Sequence, residues 1–387
     1  MRILIATGIF EPESGGPATY TPQLATRLVA AGHEVTVITY SDTARPATDT
    51  KYPFKLIRVV RGNKVVNRIK FFFAVLKHAR GRDVIYTLDW FAAGLPVALA
   101  ARLLGKSYIV RIGGDYLWEQ KYLESFAQPA SAEGSDVAMP VSLKDFYEQG
   151  VYGRYTHTVA WRIIRFVLHG AAHVVFNSDV QRELYIPFYE LDGAHMSTIY
   201  NPMSRTAADV IRDAPTKEIV FFGRLIVMKN VASLVRAFAR AQMPAEYTLT
   251  IIGDGPQKES LQRLIHELHL EDRVHILPGM PKHAVLERIK NARACILPSW
   301  TDIAPNQVGE ALVIGVPMVV TAENYLPIRD QLPEMIDPRS VDDIAEKIKM
   351  LANDARYAAF AAACKAVHFD RDWDVVTEEH LTLFSGV

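Results

Sequence analysis

Apolar residues along this chain fall into two rhythms. Short, almost unbroken apolar runs alternate with longer segments in which apolar positions return every three or four residues. The first rhythm is that of a strand covered on both faces, the second that of a helix with one buried side. In the first half the runs predict strands at 2–7, 34–39, 54–60, 84–88, 107–112, 174–177 and 197–200. Helices fall between most of them, at 20–31, 92–104 and 180–190 among others. The alternation then restarts, with strands at 218–222, 248–252, 274–277, 294–297 and 317–321 and helices at 232–241, 258–268, 284–292 and 307–314. Residues 204–217 are polar, carry neither rhythm and contain Pro215, which reads as a linker.

Strand–helix alternation on this scale predicts parallel sheets covered by helices. A chain of 387 residues is also too long for one ordinary core. The expected fold is α/β, with two Rossmann-like, doubly wound parallel-sheet domains facing across a cleft. The expected division is an N-terminal domain at 1–203, the linker at 204–217, a C-terminal domain at 218–370, and a last helix within 371–387 packing back on the first domain. Ligands of open parallel sheets sit beyond the carboxyl ends of the strands, so the cleft is the expected site.

Composition narrows the class. Hydrophobic residues make up 49% and charged residues 22%, as in ordinary globular proteins. Lys plus Arg equals Asp plus Glu at 43 each, so the basic excess of a general nucleic-acid binder is missing. The two cysteines, Cys295 and Cys364, sit in apolar stretches and read as buried thiols, not as a disulfide or a metal site. The opening MRILIATG has no signal-peptide layout, and the apolar stretch 90–104 is too short to span a bilayer. The expectation is a cytoplasmic protein, with peripheral contact at the inner face of a membrane as an alternative.

Four loops carry candidate chemistry. Gly8-Ile9-Phe10-Glu11-Pro12-Glu13-Ser14-Gly15-Gly16-Pro17 joins the first strand to a helix. Gly15 and Gly16 leave backbone N–H groups open, and the helix start favours an anion; a plain tight turn is the other reading. Gly223-Arg224-Leu225, with Lys229 beyond it, follows the first strand of the second half and offers a planar guanidinium and a point charge to a diphosphate. Two solvated cations would be the bland account. Gly253-Asp254-Gly255-Pro256 closes the next strand and shapes the wall. In Pro298-Ser299-Trp300-Thr301-Asp302-Ile303-Ala304-Pro305-Asn306-Gln307-Val308-Gly309-Glu310, seven residues separate Asp302 on a loop from Glu310 on a helix. Carboxylates with no cation nearby would accept from sugar and ribose hydroxyls. A loop acid and a favourable early-helix charge would look the same.

These motifs, in this order, resemble the family-four group of retaining glycosyltransferases with the GT-B architecture. That family's signature, Glu, seven residues, Glu-Ala and a Gly-x-Pro turn, is met by Asp302, Pro305, Asn306, Glu310, Ala311, Gly315 and Pro317. Its Gly-Arg-Leu…Lys is met by Gly223, Arg224, Leu225 and Lys229, and its Gly-Gly by Gly15 and Gly16. The resemblance implies that Arg224 and Lys229 hold the diphosphate of a UDP-, GDP- or ADP-sugar, Asp302 the sugar hydroxyls and Glu310 the ribose, with Asn306 beside them. Gly15 and Gly16 would lie on the phosphate or acceptor side. The base would rest near Leu277 and Pro278, with Gly253 close by. Front-face transfer would then need no protein nucleophile and no cofactor. Two departures stand out: Asp302 replaces the first Glu, and Gly113 replaces a His, so Asp115 becomes the polar group expected near the reacting centre, unless it caps the next helix.

The acceptor is expected to be a carbohydrate or a lipid-linked hydroxyl. Tyr152, Arg154, Tyr155, His157, Trp161, Arg162 and Arg165, within 116–169, would line its wall or form a plain helical surface. The segment 64–80 is basic and apolar at helical spacing, suited either to packing on its own sheet or to an anionic membrane. The Asp-x-Asp patterns at 370–374 read as helix-starting acids, so no metal is expected. A nucleotide-sugar epimerase, a Rossmann oxidoreductase and a non-catalytic sugar-binding relative are the competing classes; the oxidoreductase lacks a Gly-x-Gly-x-x-Gly loop.

Overall fold

The computed structural model describes residues 1–13, 15–43, 47–126, 140–203 and 214–387. Residues 204–213 of the expected linker, Ser14 of the first loop and 127–139 of the expected acceptor segment lie outside the described residues.

Thirteen strands are seen among the described residues: β1 (Arg2–Thr7), β2 (Glu34–Ser41), β3 (Lys55–Val60), β4 (Val84–Thr87), β5 (Ile109–Ile112), β6 (His173–Phe176), β7 (Met196–Thr198), β8 (Glu218–Phe222), β9 (Thr248–Ile252), β10 (Val274–Leu277), β11 (Ala294–Leu297), β12 (Met318–Thr321) and β13 (Met335–Ile336). They form two sheets, ordered β3-β2-β1-β4-β5-β6-β7 and β10-β9-β8-β11-β12-β13. Every pairing is parallel. This is the two-Rossmann-like α/β fold. In each sheet the chain steps outward from its first strand and then crosses to the other side. The loops after β1 and β4 therefore diverge in one sheet, and those after β8 and β11 in the other. Such switch points are where open sheets bind ligands.

Strand burial follows from the sequence. The residues of β4, β5, β11 and β12 are all buried, because helices cover both faces. The pattern missed β13: a two-residue strand is too short to show a rhythm. Helix boundaries follow local chemistry. Gly16–Ala30 carries Pro17 in its first turn, where its missing N–H costs nothing. Gly94–Leu104 ends on Gly105 in the left-handed region at φ 62°, a conformation glycine adopts without strain. Asp372 starts Trp373–Gly386 by accepting from the N–H groups of Asp374 and Val375.

The chain divides into two compact units: Met1–Leu117 with Tyr152–Pro202 and Asp372–Val387, and Trp118–Val151 with Met203–Arg371. In the first, the final helix joins the core through His380. Its Nδ1 donates to the Val376 carbonyl, which can only accept, so Nε2 is left to accept from the hydroxyls of Tyr86 and Tyr20. In the second, the short helix Leu143–Glu148 is capped by Ser142, and Trp118 donates to the Val141 carbonyl. Each unit has its own apolar core. Cys295 and Cys364 are both buried and form no disulfide among the described residues, and burial pushes the Cys364 thiol up to about 11. Among the described residues no helix is long and apolar enough to cross a membrane.

Candidate functional site

The second unit brings three sequence motifs together at its switch point. Gly223 follows the end of β8, at a φ of 150° that few side chains would tolerate. The next residue, Arg224, is exposed; its carbonyl accepts from the Ile226 N–H at 3.1 Å, and its side chain makes no hydrogen bond or ion pair among the described residues. Leu225 turns back into the core and donates to the Asp254 carbonyl at 3.0 Å. A short turn, Val227–Lys229, then delivers Lys229 to a buried position. Asn230 follows in the left-handed region and fastens that turn, donating to the carbonyls of Pro298 (3.2 Å) and Pro338 (2.9 Å).

The loop after β11 meets it. Trp300 donates from its backbone to the Met228 carbonyl at 2.9 Å. The Lys229 ammonium donates to Asp302, and the Ser299 hydroxyl donates to the same carboxylate oxygen at 3.0 Å. Asp302 is itself pinned by its N–H to Glu323 and by a bridge to Asn324. Lys229 and Asp302 expose only 8% and 10% of their side chains. They form a buried ion pair, expensive to desolvate unless tightly held. Behind Asp302, Thr301 and the Tyr325 hydroxyl accept from the first N–H groups of Leu143–Glu148, at 2.9 and 3.1 Å. Burial, reinforced by the nearby Asp145 carboxylate, pushes the Glu323 carboxyl up.

Asn306 opens the helix Asn306–Val313, which carries Glu310 on its second turn. Glu310 is paired with Lys282 at 2.9 Å. Thus neither carboxylate is free of a cation, contrary to what the sequence pattern suggested: Asp302 holds Lys229, and Glu310 holds Lys282. Sequence separation hid both pairs, which join residues far apart along the chain. Gln307 on the same helix sits 2.9 Å from where a Cβ on Gly223 would be, so this helix start abuts the β8 loop. On the other side, Gly253 lies so close to Gly223 that an added Cβ would stand 1.9 Å from its carbonyl oxygen. Gly253 donates to the Leu277 carbonyl, half-buried Leu277 ends β10, and Pro278 is exposed. Hydrogen bonds from Lys258 and the Gly279 N–H hold the Asp254 carboxyl below its usual range.

The remaining candidates lie in the first unit. Gly15, at φ 153°, precedes the helix that Gly16 opens, and no side chain caps that end. Asp115 is buried after β5 and accepts from the Tyr185 hydroxyl, while Gln181 donates to the Gly114 carbonyl at 3.3 Å. The sequence pattern passed over Asp89, in the loop after β4. One of its oxygens accepts from the N–H groups of Phe91 and Ala93 at 2.9 Å; the other is buried with no hydrogen-bond partner in the structure. Burial raises its carboxyl despite those N–H groups. Also unassigned by sequence were Ser299 and Asn230. Their signal is positional: each stands one or a few residues from a charged candidate, in a loop that leaves a buried strand.

Residues 15–202 match the family model for a glycosyl transferase 4-like domain, and residues 206–365 that for glycosyl transferases group 1. The D-inositol 3-phosphate glycosyltransferase of Mycolicibacterium smegmatis is 27% identical over 178 residues, which are 42% of this chain and 40% of that protein. The chain spans about half the length or less of several of the curated relatives it matches. A GDP-mannose-dependent alpha-(1-6)-phosphatidylinositol monomannoside mannosyltransferase of Mycobacterium tuberculosis is 25% identical, with 100% of this chain and 98% of that protein covered. Among solved structures, Anabaena HepE in complex with UDP-glucose aligns with a TM-score of 0.72 at 15% identity, over 99% of this chain and 100% of that one. Two family models that between them take in nearly the whole sequence, on a pair of Rossmann-like units, show that the chain belongs to the family-four group of GT-B glycosyltransferases.

Proposed function

We propose that this glycosyltransferase moves a hexose-type sugar from a nucleoside-diphosphate sugar to a hydroxyl of a glycan, lipid-linked or small-molecule acceptor, with retention at the anomeric carbon. The observation that carries this reading is the buried Lys229–Asp302 pair beside exposed Arg224 at the switch point of the second sheet. A cation already held in place loses little freedom when charge develops on a leaving diphosphate, which is the condition for strong electrostatic catalysis. Arg224 adds a planar fork for phosphate oxygens. Asp302 orients Lys229 and faces the sugar hydroxyls; Glu310 and Asn306 take the ribose; the base lies toward Leu277, Pro278 and Gly253. Gly15, Gly16 and Asp115 are the candidates within the first unit. UDP-, GDP- and ADP-sugars are the donor candidates. A mannosyltransferase relative named for GDP-mannose and a HepE complex with UDP-glucose support that range.

The direct test is Arg224→Ala. Because the side chain is exposed and unbonded among the described residues, stability should change by no more than about 0.5 kcal/mol. A charged hydrogen bond contributes about 1.5–3 kcal/mol, so turnover at saturating donor should fall about 10–150-fold. Turnover equal to wild type would remove Arg224 from the donor site.

The reaction is also proposed to need no metal, since two cations already face the phosphates. Of the Asp-x-Asp acids, Asp372 is occupied as a helix cap. Activity in excess chelator should match activity without it; complete loss there would reverse this part of the proposal.

A further inference from the structure

Three helices of the first unit, Lys64–Ala79, Gly94–Leu104 and Val159–Gly170, pack in sequence, the second against each of the others. None of the three contains an aspartate or a glutamate. Arg68, Lys70, Lys77, Arg102 and Arg162 are distributed over them. Lys64–Ala79 covers its own sheet with Phe71, Val75 and Ala79, which are fully buried. Packing on the sheet therefore accounts for one side of this helix only.

A second apolar stripe remains. Of the ten large apolar side chains that the described residues leave exposed, six stand on the first two helices: Val65, Val66, Ile69, Phe73, Leu99 and Leu103. Val65, Ile69 and Phe73 recur at every fourth residue, so they share one face. Leu99 and Leu103, also four residues apart, share one face of the second helix, which packs beside the first. Phe73 is 59% exposed. Exposed apolar side chains concentrated on two neighbouring helices are a mark of an interaction surface.

We propose that this face docks on an anionic membrane surface. Exposed apolar side chains would enter the headgroup boundary while Lys70, Lys77 and Arg102 meet lipid phosphates. Charge argues for lipid over a second copy of this chain, which would set two acid-free, cationic faces against each other. The docking stands independently of the transferase reading; that it brings a lipid-linked acceptor to the enzyme rests on that reading.

The full chain would be sedimented with vesicles of phosphatidylglycerol and phosphatidylcholine, and with phosphatidylcholine alone. Binding to the first, little to the second, and release at high salt are expected. Ile69→Glu and Phe73→Glu should each weaken partitioning about tenfold, since each removes an inserted apolar group and adds a repelled charge. Both positions are exposed, so melting temperature and the thermal shift given by nucleotide sugars should stay at wild-type values. Those two readings separate a failure of docking from a failure of folding or of the donor site. No pelleting with the anionic vesicles, or equal pelleting by Phe73→Glu, would overturn the proposal. So would a solution dimer that Phe73→Glu dissociates, because a second copy would then cover the face.

Discussion

Lys229→Ala should lose stability and turnover together, and adding Asp302→Ala should restore the first without the second. The single change leaves a buried carboxylate whose remaining side-chain partner is the Ser299 hydroxyl. Removing one member of a buried ion pair typically costs about 3–5 kcal/mol, because the survivor is stranded in a poorly solvating interior. Removing both takes away the stranded charge, and most of the loss should return. Turnover should behave otherwise. A cation that stabilises a departing diphosphate contributes about 1.5–3 kcal/mol, so both variants should be slowed about 10–150-fold at saturating donor. Thermal unfolding and steady-state rates on the two variants supply the check. Wild-type turnover by the double variant would mean that the pair is purely structural.

The second large effect is expected at Gly253. A Cβ there would stand 1.9 Å from the Gly223 carbonyl oxygen and 3.0 Å from its carbon. Both obstacles are backbone, so no rotamer change can relieve them. The chain must separate where Gly223 donates to Ile252 and Gly253 to Leu277, at 2.9 and 3.0 Å. Gly253→Ala should therefore cost about 1–3 kcal/mol or more, the usual range for overpacking. It should also weaken donor binding, since Arg224 rides on the displaced loop. Gly16→Ala is the comparison: nothing lies within 4 Å of its added Cβ, and its stability should match wild type. Gly253→Ala melting at the wild-type temperature would show that the two loops can part freely.

The sequence pattern located the strands well because β1, β8 and β11 are nearly unbroken apolar runs with little competing signal. Ends were less legible. Ser107 and Tyr108 look like strand residues, yet pairing begins at Ile109; Tyr108 is apolar because it is buried, and its hydroxyl donates to the Val167 carbonyl. Arg224, Lys229 and Asp302 could be picked out because each follows a strand at the second sheet's switch point. Their partners could not. That Lys229 reaches Asp302, or Glu310 reaches Lys282, depends on how two loops approach in space, and spacing along the chain carries no trace of it. Asp89 was illegible for a different reason: an acid before a helix usually reads as a cap, and only burial reveals its unmatched oxygen.

The polypeptide passes from one compact unit to the other four times, at 117–118, 151–152, 202–203 and 371–372. No single scission of the gene can therefore release an intact half. A fragment stopping at Pro202 would lack His380, which fills the space between Tyr86 and Tyr20, and would still carry the 118–151 excursion without the Thr301 and Tyr325 groups that receive its helix. A fragment beginning at Met203 would lack that excursion altogether. Swapping halves at one crossover would meet the same obstacle, so a chimera that is to carry the second unit intact must bring the excursion along with its sheet.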